Sequence, residues 1–238
     1  MTPTLTTLLN GYSLRTAQGS PAFCSIHLVE SDAGRLLFDC GHAGRRRWLL
    51  EALAARGLEP ADIGTVVLSH GHWDHIQNVD FFQEARVLLH ADELRNLADP
   101  PATDLGTPRW ARRILDDLDV HTTGDGDEPL PGVQVLDLPG HTPGSIGLAV
   151  STDAGTAVLS ADAVPTAEVL RAGAASGRPY DQARADASVK RIAQLADLVC
   201  PGHDAPFRLD ASGVPQYLVT PEPLAFSGRS RVTSEQAS

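Results

Sequence analysis

Apolar and polar positions follow a period near two in several short stretches of this chain and a period near 3.6 in a few longer ones. Residues 23–29 and 35–39 read as strands joined by the turn Ser31-Asp32-Ala33-Gly34, which predicts a hairpin. Over residues 46–56 the apolar side chains of Leu49, Leu50, Leu53 and Ala54 fall on one helical face, and Gly57 stands where that helix stops. The β-branched run Thr65-Val66-Val67-Leu68 predicts a buried strand. A second strand-then-helix unit follows over 86–90 and 91–96, closed by a loop at Asp99-Pro100-Pro101. The pattern then predicts a helix over 108–118 and strands over 133–138, 145–150 and 156–160. Asp181 is placed to cap a helix that runs to Ala196 with an apolar stripe of Val189, Ile192, Ala193 and Ala196. A last strand, Leu198-Val199-Cys200, leads into Pro201-Gly202-His203.

A chain of 238 residues buries a sizeable core, and the expected organisation is one domain over 1–226 with a loosely ordered, polar tail over 227–238. No stretch approaches the roughly 18 to 20 apolar residues of a membrane span. The opening residues lack the basic and apolar regions of a secretory signal, so a soluble, cytoplasmic protein is expected. Cys24, Cys40 and Cys200 are widely spaced and form no Cys-x-x-Cys, which predicts buried thiols and no disulfide framework. A formal charge of −11 argues against a nucleic-acid partner, since that affinity comes largely from Lys and Arg on phosphates. The run Arg45-Arg46-Arg47 reads as the solvated face of a helix, and Lys190 is the only lysine.

Chemistry concentrates in His70-Gly71-His72-Trp73-Asp74-His75, which packs four ligand-type side chains into six residues directly after a predicted strand. Neutral imidazoles and a carboxylate are nitrogen and oxygen donors suited to zinc, and alternate residues of one loop can face two different centres. His141, Asp162 and His203 add donors, each beside Gly, Pro or Ala in a loop after a predicted strand. Seven donors suffice for two metal sites. Besides zinc, such donors also accept manganese, iron or cobalt.

The order Asp39-Cys40-Gly41, His70 to His75, Gly140-His141, Ala161-Asp162 and Gly202-His203 resembles the metallo-β-lactamase superfamily over about residues 20 to 207. The resemblance implies an α/β fold, an αβ/βα four-layer sandwich with metals at one edge. It also implies two Zn2+ ions, one held by His70, His72 and His141 and one by Asp74, His75 and His203, with Asp162 bridging. Asp39 would then orient a ligand histidine from behind. The remaining histidines match no ligand position. His27 and His90 read as structural, His121 stays unassigned, and His42, after Gly41, is the one placed to reach substrate. Trp73 reads as packing or a pocket wall.

Two ions that share a water and lower its pKa would make this chain a hydrolase of a small ester, lactone or thioester, with Asp74 orienting the nucleophile and carrying its proton. The alternatives of the same fold are a phosphodiesterase or nuclease and a noncatalytic metal-binding regulator. Among family branches the chain looks most like the acyl-homoserine lactonases, yet these carry a Tyr three residues beyond the bridging Asp, where this chain has Pro165. Tyr180 could stand in only if its loop folds back. Segments around Phe81-Phe82, 103–112 and 164–180 are expected to shape a mostly apolar pocket.

Overall fold

The computed structural model describes residues 2–14, 17, 19 and 21–219. Strand β1 (Thr4–Leu9) comes first, and β2 (Tyr12–Ser13) with β3 (Ala22–Phe23) forms a small separate ribbon. One six-stranded sheet lines up β1, β4 (Ile26–Ser31), β5 (Gly34–Phe38), β6 (Thr65–Val67), β7 (Arg86–His90) and β8 (Asp119–Thr123) in that spatial order. Its first three strands are antiparallel, and β5 through β8 are parallel. The other six-stranded sheet lines up β9 (Val133–Asp137), β10 (Ile146–Thr152), β11 (Gly155–Ala161), β12 (Leu198–Pro201), β13 (Phe207–Leu209) and β14 (Pro215–Tyr217). Only its β11 and β12 run parallel.

Strand alternation sorts the apolar side chains into layers. Leu36, Phe38, Val67 and Leu88 of the first sheet meet Val135, Leu148 and Leu159 of the second between the sheets. Their neighbours Leu37, Val66 and Val87 face outward, onto Leu49 and Leu53 of helix α1 (Arg46–Ala54) and Leu97 of α3 (Ala91–Ala98). On the far side Leu136, Val158 and Val199 pack against Val169 of α4 (Ala167–Ala172) and Val189 and Ile192 of α5 (Gln182–Leu195). The result is the αβ/βα sandwich. Strands buried on both faces are why Thr65 to Leu68 reads as a continuous apolar run. The single turn α2 (Trp73–Ile76) lies at the sheet edge.

The predicted hairpin, the helix that stops at Gly57 and the Asp181 cap are all present; Asp181 accepts from the Arg184 amide at 3.1 Å. Several expectations are corrected. The helix over 108–118 shortens to a 3-10 turn, Ala111–Leu115, because no side chain caps it and the chain turns at once into β8. Strands β1 and β8 escape the pattern reading because both are edge strands, and in β8 only Thr123 is buried. In α5 the buried stripe is Ala185, Ser188, Val189 and Ile192, with Ala193 exposed. Phe82 is fully buried and Phe81 packs against the same core, so this pair does not line the cavity at the donor cluster. Arg45 is not a solvated residue: its guanidinium lies over the Phe23 ring and donates to the Asn10 and Cys24 carbonyls at 2.9 and 3.0 Å. The tail over 227–238 lies outside the described residues.

Cys24, Cys40 and Cys200 are free and buried. No helix among the described residues is long and apolar enough to cross a membrane.

Candidate metal centre

The parallel strands β5, β6, β11 and β12 end at one edge of the sandwich, and every candidate donor sits on the segment that follows a strand there. Asp39 follows β5, His70 to His75 follow β6, Asp162 follows β11 and His203 follows β12; His141 lies in the connection from β9 to β10. Two backbone bonds between the sheets lock that edge, Ile146 N–H to Ser69 O at 2.9 Å and Ser25 N–H to Gly202 O at 2.6 Å.

All seven predicted residues converge. Donor atoms of His70, His72, His141 and Asp162 lie within 4.8 Å of one another, as do those of Asp74, His75 and His203. Asp162 stands between the groups. Its Oδ2 is 3.3 Å from His141 Nε2, and its Oδ1 is 3.3 Å from His75 Nε2 and 3.1 Å from His203 Nε2. Gly202 is required beside it, since a Cβ there would collide with Asp162 Oδ1 and the Ala161 carbonyl.

The outer ring nitrogens are anchored, which leaves the inner ones to face the centre. His70 Nδ1 is 2.9 Å from Ser69 Oγ, His75 Nδ1 is 2.7 Å from Asp39 Oδ2, and His203 Nδ1 is 3.0 Å from the Phe23 carbonyl. His72 is reversed, with Nδ1 facing His141 Nε2 at 3.0 Å and Nε2 on Asp104 Oδ1 at 3.1 Å. The inner atoms His70 Nε2, His75 Nε2 and Asp162 Oδ1 are buried without a hydrogen-bond partner. Buried polar atoms left so are rare, and here they fall in both donor groups and on the carboxylate between them, which fits a metal centre.

The electrostatics agree. Burial drives His141 down to about 3 and, with neighbouring imidazoles, holds His70 well below the usual histidine range. Burial acts the same way on His75 and His203, but the carboxylates of Asp39, Asp162 and Asp74 around the first, and of Asp162 and Asp74 around the second, outweigh it and raise both. Burial would raise Asp162, yet His203, His75 and His141 hold it well below the carboxylate range. Neutral imidazoles at His70 and His141, and carboxylates crowded around His75 and His203, form a donor set that suits divalent ions.

Backbone strain is stored at the same edge. Asp39 (φ 58°) and Ala161 (φ 43°) are the non-glycine residues with positive φ among those described, and such conformers cost roughly 1–3 kcal/mol each. Asp39 turns its carboxylate onto Ser69 N–H and Ser69 Oγ, both at 2.8 Å, as well as onto His75. That is the supporting role expected of it.

Sequence reading missed Glu93. It is fully buried on α3 and accepts from Gly71 N–H at 2.9 Å, Thr142 Oγ at 2.6 Å and Gly144 N–H at 3.0 Å, joining the His70 to His75 segment to the His141 loop. A lone Glu within an amphipathic helix carries no local signal of this. Glu93→Ala leaves those donors unsatisfied and is expected to cost about 3 kcal/mol, lowering the midpoint of thermal unfolding by roughly 10 °C; differential scanning calorimetry measures it.

Of the other histidines, His27 is buried, 3.1 Å from Thr7 Oγ1 and pushed down to about 3 by burial, while His90 caps α3; both are structural, as expected. His121 is exposed and pairs with Asp119 at 2.8 Å. His42 lies between Phe23 and Trp73, with ring centroids 4.7 and 5.0 Å away, tilted against the first and edge-on to the second, so Trp73 is packing in an aromatic wall.

A cavity of 510 Å3 opens on the centre, with His141, Asp162 and His203 among its lining. Pro165, Thr166 and Glu168 line it too, so its character is mixed and not the mostly apolar one expected. Residues 164–180 contribute to it as predicted, whereas 103–112 do not. The Tyr180 loop does fold back, its N–H on the His141 carbonyl at 3.2 Å, but the Tyr180 side chain is 59% exposed and is not part of the lining.

The family model described as the metallo-beta-lactamase superfamily matches residues 19–203. The chain belongs to the metallo-beta-lactamase superfamily. Within it, metallo-beta-lactamase domain-containing protein 1 of Mus musculus is 35% identical over 191 residues, covering 76% of this chain and 64% of that one. The Homo sapiens protein of the same name is 34% identical, over 76% of this chain and 62% of its own length. The match therefore spans a little under two thirds of both relatives. N-acyl homoserine lactonase AiiB of Agrobacterium fabrum is 34% identical, covering 66% of this chain and 62% of that protein. Among solved structures of the same fold, a mutant of Bacillus thuringiensis AiiA with N-decanoyl-L-homoserine bound superposes at a TM-score of 0.69, with 21% identity over 86% of this chain and 94% of that one.

Proposed function

We propose that this chain is a metal-dependent hydrolase of a small ester, lactone or thioester. Its centre takes two divalent ions, zinc by the chemistry of the donors, one on His70, His72 and His141 and one on Asp74, His75 and His203. The observation that carries the reading is Asp162, whose two oxygens face the two groups separately while its side chain lines the cavity. Bound there, the ions would lower the pKa of a shared water toward neutrality and polarise the electrophilic oxygen.

The protein's own residues do the rest. Asp39 and Ser69 hold His70 and His75 in the tautomer that leaves Nε2 inward, and the Phe23 carbonyl does the same for His203. Asp74 Oδ2 lies 3.5 Å from His203 Nε2, and a carboxylate so placed can orient the attacking water and pass its proton to the leaving group. Pro165 lines the cavity where the lactonase-like pattern has a phenol, so a side-chain donor to the substrate carbonyl is missing at that position. The substrate class is therefore the small esters, lactones and thioesters as a whole and not the acyl-homoserine lactones in particular. Three free, buried thiols suit a reducing, cytoplasmic setting, which is part of the same proposal.

The test is a panel of chromogenic esters, lactones, thioesters, nitrocefin and bis(p-nitrophenyl) phosphate, with and without chelator, beside elemental analysis. Two metal equivalents per chain are expected, with chelator-sensitive turnover of a carboxylic ester, lactone or thioester. Preference for the phosphodiester, or no chelator-sensitive turnover by fully loaded protein, overturns the reading.

A further inference from the structure

We propose that Asp104 is a positioning residue that makes the 99–110 loop part of the metal centre, so that metal occupancy and loop order form one equilibrium. The inference rests on the two-ion reading. Three of the ligand histidines, His70, His75 and His203, are oriented by residues on or beside the sheet strands: Ser69, Asp39 and the Phe23 carbonyl. His72 is oriented by a loop instead. Its Nε2 lies 3.1 Å from Asp104 Oδ1, and donation of the Nε2 proton to that carboxylate leaves the Nδ1 lone pair facing the centre.

The same oxygen of Asp104 folds the loop. Oδ1 also accepts from Gly106 N–H at 3.0 Å and Thr107 N–H at 3.1 Å, while the Asp104 N–H donates to the Pro101 carbonyl at 3.0 Å. Gly106 in turn lies flat on the His72 ring, where any Cβ would collide with it, and its carbonyl accepts from Trp73 N–H at 2.9 Å. Leu105, between Asp104 and Gly106, is 89% exposed, so its side chain does not hold this part of the loop down. The polar contacts of Asp104 do so. An ion drawing on His72 Nδ1 makes Nε2–H a stronger donor and tightens the loop; by linkage, a loop that opens weakens the ion's hold on His72.

The test uses the full chain stripped of metal and titrated with zinc against a chromogenic chelator, for the wild type, Asp104→Asn and Asp104→Ala. Hydrogen exchange at Gly106 and Thr107 is followed with and without zinc. Asp104→Ala is expected to weaken one of the two zinc sites by about tenfold or more and spare the other. Asp104→Asn keeps an oxygen for all three N–H groups and loses only the charge, so a smaller weakening is expected with the loop fold intact. Zinc slows exchange at the two amides in the wild type and not in Asp104→Ala. Wild type that binds no zinc overturns the two-ion reading and this inference with it. Two bound ions in every protein with affinities within about twofold of wild type, or exchange in the wild type indifferent to zinc, overturns the role of Asp104 alone.

Discussion

Asp162→Ala is expected to lower kcat/KM by at least ~10^3-fold, about 4 kcal/mol of transition-state stabilisation, and to leave the protein folded with fewer than two metal equivalents. The expectation follows from the position of the carboxylate. It is the residue of the centre that faces both donor groups, with Oδ2 toward His141 and Oδ1 toward His75 and His203. Without it the two groups lose the carboxylate they share, and two dications held side by side would repel each other with one fewer anion between them. Folding should survive, because the β11 end is held independently by Gly202 N–H on the Ala161 carbonyl at 2.9 Å and by the apolar layers on both faces of the strand. Elemental analysis, circular dichroism and steady-state kinetics check the three parts separately; two retained equivalents with wild-type turnover would show that Asp162 bridges nothing.

Asp74→Asn is expected to reduce kcat by roughly 10^2 to 10^3-fold, within the usual range for a lost acid–base group. Oδ2 lies 3.5 Å from His203 Nε2 and 3.9 Å from His75 Nε2, and the residue is buried in the first turn of α2. Asparagine keeps the size and one oxygen donor but cannot accept and return a proton. A substrate with a very acidic leaving group needs no protonation as it departs, so the deficit should shrink for such esters and stay large for poor leaving groups. Normal turnover by a metal-replete variant would remove Asp74 from the chemistry. An equal deficit for both leaving groups would reduce it to a ligand.

The two substitutions separate holding metal from moving protons, and Glu93 and Asp104 separate both from the support beneath them. Glu93 joins two donor segments through buried hydrogen bonds, so its loss should appear first in stability. Asp104 touches one ligand from an exposed loop, so its loss should appear in metal affinity.

Much of this was legible along the chain. The run His70 to His75, the Gly-His pairs at 140–141 and 202–203 and Asp162 are local patterns whose chemistry is carried by residue type, so seven donors could be named without coordinates. Strands buried on both faces announced themselves as apolar runs, and Asp181 announced a helix start. Weak local signals failed where position in the sheet mattered more than pattern. The edge strands β1 and β8 are the examples, and Phe81-Phe82 read as pocket because nothing local distinguishes a buried loop aromatic from one at a cavity mouth.

The sequence by itself determined which residues could bind metal and that they sit at strand ends, and its resemblance to the superfamily implied the layered class of the fold. Only the tertiary structure decided that Asp162 lies between the two groups, which nitrogen of each histidine faces inward, and that Glu93, Ser69 and Asp104 hold them there. The physical reason is that a ligand's identity is a property of one residue, whereas its orientation is set by a hydrogen bond to a partner that can be distant in sequence. His72 and Asp104 are 32 residues apart, and His203 and the Phe23 carbonyl are 180 apart. Such separations are closed by burying apolar strands between and outside two sheets, which carries no trace of the polar contacts it brings together.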